Sequence, residues 1–176
     1  ESGLIEAQAR DEAGWGRHAG HNEMWFAARD IAFENPPTAD QTELMLVRLG
    51  VKSPGAPVDL AALRAAAMAN RKLPSDIPFE VEALLERMVS LLLIEISAFH
   101  IFRWAEAVLG DTDLCAGDGE AARIVSYIRA DESTHVEYLK TSLSEMRERT
   151  FLGEGGRKHS GAEIITGMWE PAVANQ

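Results

Sequence analysis

Three long segments of this chain repeat apolar residues at helical spacing, and these repeats constrain its fold more than any other feature. They cover residues 3–34, 77–109 and 119–150. Apolar residues that recur every three to four positions form one face of a helix, and that face has to be buried against another element. Pro36 and Pro37 follow the first segment, and proline cannot continue a helix. Because no segment alternates apolar and polar residues as a half-buried strand does, the sequence predicts an all-α helical bundle.

Shorter helical patterns connect the first long segment to the second. They cover residues 39–49 and 58–72, and a loop rich in proline and glycine separates them at 52–57. We therefore expect a helical crossover between the first two long helices. The sequence predicts one bundle domain over residues 1–152, followed by a C-terminal tail over residues 153–176 that contains one short apolar turn.

The composition and charge exclude several classes of protein. A length of 176 residues fits one domain with a sizeable core. The formal net charge of -11 argues against nucleic-acid binding, which requires clustered lysine and arginine. The longest apolar run, residues 89–96, is interrupted by Ser90 and Glu95, so no segment is expected to cross a membrane. A single cysteine, Cys115, rules out an internal disulfide framework and indicates a reducing, cytoplasmic location.

The third long segment contains a run with the chemistry of a metal site, Asp131-Glu132-Ser133-Thr134-His135. Its Glu132 and His135 are three residues apart, so they lie on one face of a helix within reach of a single metal ion. In the second segment, Glu95 interrupts an apolar stretch, where a charged carboxylate is costly unless it is paired or bound to a metal. Pairing of Glu95 with a nearby arginine or tryptophan remains an alternative, but the two features together favour a metal site.

The first long segment repeats part of this pattern. An Asp-Glu pair recurs at 11–12, and Trp15 falls where the repeat would place a second histidine. In a two-metal helical bundle, each of two facing helices carries Glu-x-x-His. The aspartate before each glutamate can accept the free N–H of the imidazole opposite, which fixes the orientation of that ring. On this pattern Asp11 serves His135, whereas Asp131 faces no imidazole at position 15.

Trp15 leaves three interpretations open. An indole N–H is only a donor and cannot ligate a metal. The site can hold one full and one impaired metal position, or a nearby imidazole can compensate, or the chain can be a scaffold that has lost catalysis. His18 is the candidate ligand one turn further along, although it lies about 120° around the helix from Glu12 and would need a local bulge. His21 lies beyond it, and an exposed or packing role is the simpler alternative for both histidines.

The run Asp11-Glu12-Ala13-Gly14-x-Gly16 resembles the Asp-Glu-Ala-Gly-His-Gly signature of the catalytic subunit of phenylacetyl-CoA epoxidase, within the ferritin-like di-iron oxygenases. The order of helical segments from residue 3 to about residue 150 fits the same family. The resemblance implies a ferritin-like bundle with a dinuclear iron site that activates O₂. Trp15 departs from the pattern by replacing a ligand, and the family's first helix, with one more glutamate, has no counterpart, so we expect it upstream or lost. The implied ligand positions are Glu12, Glu95, Glu132 and His135.

The first functional expectation is therefore an iron-dependent, O₂-activating oxidoreductase, a monooxygenase or oxidase that acts on a small organic or acyl substrate. The site would hold two irons, or one iron or partial occupancy if Trp15 impairs it. Electrons would come from a separate reductase, because the sequence contains no flavin or iron–sulfur motif. The alternative is a non-catalytic ferritin-like scaffold subunit with a degenerate metal site that binds a partner oxygenase. Either role predicts a homo- or hetero-oligomer.

Overall fold

The computed structural model describes residues 2–49 and 59–174, and within them the predicted all-α helical bundle is confirmed. The described elements also include a small antiparallel hairpin formed by β1 and β2. The predicted loop at 52–57 lies outside the described residues. In chain order the elements are α1 (Ser2–Ala13), α2 (His21–Ala32), α3 (Ala39–Arg48), α4 (Leu60–Ala69), α5 (Phe79–Leu109), α6 (Glu120–Arg147), β1 (Thr150–Leu152), β2 (Lys158–Ser160) and α7 (Gly161–Ala174).

The two longest helices, α5 and α6, form an antiparallel pair that supports the rest of the fold. Gly110 ends α5, and Gly119 precedes α6 in a left-handed conformation with φ of 81°. The pairing runs along both helices: Glu106 of α5 forms an ion pair with Arg129 of α6. α2 packs against α6, and α1 packs against both α2 and α6.

Apolar side chains form two separate clusters along this pair. The larger cluster joins the first half of α5 and the second half of α6 to α7. The smaller cluster joins α2 to the second half of α5 and the first half of α6, with small residues such as Ala28 and Ala121 fully buried. The middle of each long helix lies between the clusters, and the carboxylates of Glu95 and Glu132 are buried there. The main buried members of the larger cluster are Leu85, Val89, Leu92, Leu139, Leu143, Ile164 and Met168.

The prediction of one continuous helix over residues 3–34 is wrong. The chain forms α1 and α2 instead, separated by a turn over residues 14–20. Gly14 adopts a φ of 78°, a left-handed conformation that a side chain disfavours and that ends α1. Backbone hydrogen bonds of 3.0 Å and 2.9 Å between Trp15 and His18 then close the turn. Because the apolar residues keep helical spacing on both sides of the turn, the sequence pattern does not show that the helix breaks here.

The C-terminal part is more ordered than the predicted tail with one apolar turn. α6 ends at Arg147, and the hairpin pairs Phe151 with His159 before α7 begins. Nε2 of His159 lies 2.9 Å from Oδ2 of Asp76, which fixes the hairpin to the segment before α5. α7 runs for 14 residues and buries Ile164, Ile165 and Met168 in the larger apolar cluster. None of the helices in the described ranges combines the length and apolar character needed to cross a membrane.

Candidate metal centre

Four potential metal ligands from three helices converge between the two apolar clusters. Glu12 lies at the end of α1, Glu95 in the middle of α5, and Glu132 and His135 one turn apart in α6. One ligand atom from each residue lies within 4.8 Å of the others. Glu95, Glu132 and His135 are 4%, 3% and 2% exposed, whereas the side chain of Glu12 is 46% exposed. The structure thus brings together the four residues that the sequence analysis placed at ligand positions.

The imidazole of His135 contacts carboxylates on both sides. Its Nδ1 lies 2.7 Å from Oε2 of Glu132, 3.8 Å from Glu95 and 3.9 Å from Glu12. Its Nε2 lies 3.3 Å from Oδ2 of Asp11. With the ring proton on Nε2, donated to Asp11, the Nδ1 lone pair faces the carboxylate cluster. Asp11 therefore takes the orienting position that the sequence analysis assigned to it.

A second imidazole, that of His21, faces the same carboxylates. It is the first residue of α2 and is 5% exposed. Its Nδ1 lies 3.2 Å from Oε1 of Glu132 and 3.3 Å from Oε1 of Glu12, yet no hydrogen bond satisfies this nitrogen. Its Nε2 lies 3.4 Å from Oδ2 of Asp131. Asp131 therefore faces the imidazole of His21 instead of one at position 15, because the turn at 14–20 returns the chain to the site.

His18 and Trp15 are placed differently from their sequence assignments. Both are exposed in the turn between α1 and α2, and neither belongs to the carboxylate cluster. The ring of Trp15 is 64% exposed and lies under the guanidinium group of Arg10, at 4.8 Å. The expectations that His18 compensates as a ligand and that Trp15 stands in the place of a ligand beside the cluster are thus corrected. The helix ends before position 15, so helical spacing from Glu12 no longer determines where either side chain points.

Gln8 is a member of the site that the sequence analysis did not identify. Its amide nitrogen donates a hydrogen bond to Glu95, and its amide oxygen accepts one from the hydroxyl of Tyr138. Gln8 is 6% exposed, which is rare for a residue of this type without a defined partner. Its position four residues before Glu12, on the same face of α1, was the signal that the sequence offered.

Burial and mutual contacts shift the pKa values of the clustered groups in opposite directions. Burial, reinforced by the neighbouring carboxylate of Glu132, raises the pKa of Glu95 to about 8. Burial also acts to raise the pKa of Glu132, but contacts with His135 and His21 outweigh it and hold that pKa well below its usual range. Burial acts to lower the pKa of His21, but the carboxylates of Glu132, Glu12 and Asp131 raise it to about 9. The raised pKa values of Glu95, His21 and His135 all favour bound protons, which offset the negative charge of the cluster.

This donor set fits a divalent transition-metal ion. Carboxylate oxygens and imidazole nitrogens suit iron, manganese and zinc, and a bound cation supplies the positive charge that protons otherwise provide. The unsatisfied Nδ1 of His21 is the observation that tests the fit, since a buried nitrogen aimed at carboxylates without a hydrogen bond has the arrangement of a ligand. Glu12, Glu95, Glu132 and His135 can therefore hold a metal ion.

Comparisons of the chain with protein-family models, with curated proteins and with solved structures found no match. Its function is therefore inferred from the chemistry of the site.

Proposed function

We propose that this protein is an iron-dependent oxidoreductase of the ferritin-like di-iron class, which uses O₂ to oxidise a small organic or acyl substrate. The single observation that supports the proposal most strongly is the convergence of Glu12, Glu95 and Glu132 from three helices on the imidazole of His135. Burying carboxylates between apolar clusters is costly unless a cation or protons compensate their charge. A fold that retains this arrangement is best explained by a bound metal.

In this proposal Glu95, Glu132 and His135 hold iron from the buried side, and Glu12 holds it from the more exposed side. Bound iron supplies the redox chemistry with O₂ that no protein side chain provides. The protein contributes orientation: Asp11 fixes the ring of His135, and the Gln8 amide fixes the carboxylate of Glu95. The two apolar clusters on either side limit the access of water.

A groove on the flank of α5 and α6 supports the proposal that the substrate is an apolar organic molecule. It has a volume of about 340 Å³. Ile96 and Val136, which follow Glu95 and His135 in sequence, are part of its wall, so it runs beside the ligand-bearing turns of both helices. Pockets of this size and apolar character bind small molecules. The remaining lining residues are Phe99, His100, Ser133 and Glu137.

The proposed reaction needs an electron donor outside this chain. A single cysteine cannot ligate an iron–sulfur cluster by itself, and the sequence contains no flavin-binding motif. We therefore assign electron delivery to a separate reductase.

Iron content and O₂ uptake test the proposal together. The full chain, loaded anaerobically with Fe²⁺ and supplied with ascorbate, is expected to consume O₂ in an oxygen-electrode measurement. His135→Ala should remove most of the bound iron and reduce the rate to that of free iron. The matched control is His18→Ala, which removes an exposed imidazole and should leave both quantities unchanged. Iron that fails to bind the wild-type chain, or uptake that does not depend on His135, contradicts the proposal and favours the non-catalytic scaffold.

A further inference from the structure

We propose that His21 is a second imidazole ligand and that the site therefore takes two divalent transition-metal ions, one at each imidazole. This inference rests on the proposed metal centre but goes beyond its four-ligand set, which contains a single imidazole. It also replaces the interpretation in which Trp15 leaves the second metal position impaired.

The first support is a reciprocal pairing of the two halves of the site. Asp11, beside Glu12, lies 3.3 Å from Nε2 of His135 on the opposite helix. Asp131, beside Glu132, lies 3.4 Å from Nε2 of His21. In metal sites a carboxylate commonly accepts the outer N–H of a ligating imidazole and thereby turns the other nitrogen to the metal. Both imidazoles have this arrangement, and both present Nδ1 to the carboxylate cluster.

The second support is the way the carboxylates are shared. Oε1 of Glu132 lies 3.2 Å from Nδ1 of His21, and its Oε2 lies 2.7 Å from Nδ1 of His135. Oε1 of Glu12 lies 3.3 Å and 3.9 Å from the same two nitrogens. A carboxylate with one oxygen toward each imidazole is placed to bridge two metal ions. The ring centroids are 6.2 Å apart, which is compatible with the metal separation of about 3.5–4 Å in two-metal sites.

The third support is the path of the chain between α1 and α2. A Cβ atom on Gly20 would lie 2.6 Å from the backbone nitrogen of Gly14, and one on Gly14 would lie 2.7 Å from the nitrogen of Gly20. The two backbones are therefore in direct contact, and the residues between them loop away from the helix ends. Gly20 lies against Gly14. His21 therefore takes the place next to Gly14 that residue 15 would take if the helix continued.

This path restores a motif that the sequence interrupts. Without residues 15–20 the chain would run Asp11, Glu12, Ala13, Gly14, His21, which is Asp-Glu-x-x-His. The run from Asp131 to His135 has the same form. The turn thus carries Trp15 and His18 to the surface and returns an imidazole to the position three residues after Glu12.

A neutral, purely structural histidine does not account for these contacts. A buried imidazole in a structural role normally has both nitrogens satisfied, because an unpaired buried polar atom is destabilising. His21 is 5% exposed and its Nε2 has a partner in Asp131, whereas its Nδ1 makes no hydrogen bond although carboxylate oxygens lie 3.2 Å and 3.3 Å away. That nitrogen points at the oxygens of Glu12 and Glu132, where a metal ion would complete its coordination.

A Co²⁺ titration of the chelator-treated full chain tests the inference without any measurement of activity. Bound metal per chain is determined by elemental analysis and by ligand-field absorption. We expect two Co²⁺ per wild-type chain, and one per chain for His21→Gln, whose affinity for the second ion should fall by about 100-fold or more. The matched control His18→Gln changes an exposed imidazole three residues away and should still bind two ions.

Asp131→Asn provides a second variant that does not disturb the buried core, since the Asp131 side chain is 49% exposed. This substitution should weaken the binding of the second Co²⁺ by about 10–100-fold and leave the binding of the first unchanged, because it alters only the partner of His21. A folded chain without residues 15–20 should retain two ions. Circular dichroism before each titration identifies any variant that fails to fold. The variants that do fold then test the role of His21.

The outcomes separate this inference from the proposed function. One Co²⁺ per wild-type chain overturns the role of His21 and leaves a mononuclear centre in place of a di-iron one. Two Co²⁺ per chain at wild-type affinity in both His21→Gln and Asp131→Asn also overturn the role of His21, because the second ion then binds without it. No Co²⁺ bound by the wild-type chain overturns both. Two ions in the wild type and one in His21→Gln support the dinuclear site, whether or not the chain later proves to consume O₂.

Discussion

The buried amide of Gln8 connects Tyr138 of α6 to Glu95 of α5 by accepting a hydrogen bond from the tyrosine and donating one to the glutamate. The three groups lie on three helices, so the relay fixes the Glu95 carboxylate relative to all of them. An amide can do this because it carries a donor and an acceptor on one planar group. The hydrogen bond that orients Glu95 thus comes from a neutral amide, which carries no charge that would compete with a metal.

We predict that Gln8→Leu weakens Co²⁺ binding by about 10–100-fold, because Glu95 loses the donor that orients it. Tyr138→Phe should produce a smaller loss, since the amide remains. Competition with a chromophoric chelator measures both affinities. The control is Tyr127→Phe, which removes a hydroxyl from a residue that is 51% exposed on the same helix as Tyr138. Wild-type affinity in Gln8→Leu would mean that Gln8 only fills space.

Trp15→His is predicted to leave the amount of bound metal unchanged. The side chain at position 15 is 64% exposed in the turn, away from the carboxylates, so a new imidazole there does not reach them. Elemental analysis of the variant and the wild type, purified side by side, provides the measurement. A gain in bound metal would indicate that residue 15 occupies a ligand position after all.

Glu82→Gln is predicted to destabilise the fold by about 2 kcal/mol, because charge-assisted hydrogen bonds to a buried carboxylate contribute on the order of 1.5–3 kcal/mol. Glu82 is 4% exposed. It accepts hydrogen bonds from Nε of Arg71 at 2.7 Å and from the backbone of Lys72 and Leu73, so it fastens the segment after α4 to α5. Urea unfolding measures the effect.

The matched control for Glu82 is Glu80→Gln. Glu80 forms its ion pair with Arg64 at the surface, where solvent screens the charges, and little change in stability is expected. Equal destabilisation by the two substitutions would contradict a special role for the buried carboxylate.

Asp76 is predicted to make stability sensitive to acid. Its hydrogen bond from His159 lowers the pKa of Asp76 below its usual value. A carboxylate with a depressed folded-state pKa stabilises the fold above its unfolded pKa, about 3.9, and this contribution is lost as the pH falls through the folded value. Asp76→Asn should therefore lower the melting temperature at pH 6, and the difference from wild type should shrink below about pH 4.

Thermal melts of Asp76→Asn between pH 6 and pH 2.5 provide that test. Glu34→Gln, which changes an exposed acidic residue in a loop, is the control and should follow the wild-type curve. A difference between Asp76→Asn and wild type that stays constant over the whole range would contradict the assignment.

The long helices could be predicted from the sequence because their apolar periodicity extends over many turns. α5 begins within two residues of its predicted start and ends at Leu109, as predicted from Gly110. The β1–β2 hairpin could not be predicted this way. Its strands have three residues each, which is too short for an alternating pattern to register.

The site could be predicted where helical spacing holds and not where the helix breaks. Glu132 and His135 lie three residues apart in a continuous helix, so their shared face follows from geometry. His21 lies nine residues after Glu12, and its position depends on the left-handed turn at Gly14 and on the contact of that residue with Gly20. Such a contact has no periodic signature in the sequence.

The contact between Gly14 and Gly20 gives this region an unusual freedom. Because the two helix ends meet directly, we expect changes in the length and composition of the intervening peptide to have little effect on the position of His21. It is a natural position for grafting a reporter or an affinity tag close to the proposed metal centre. A search for related chains should therefore permit a gap of variable size between Glu12 and the histidine equivalent to His21.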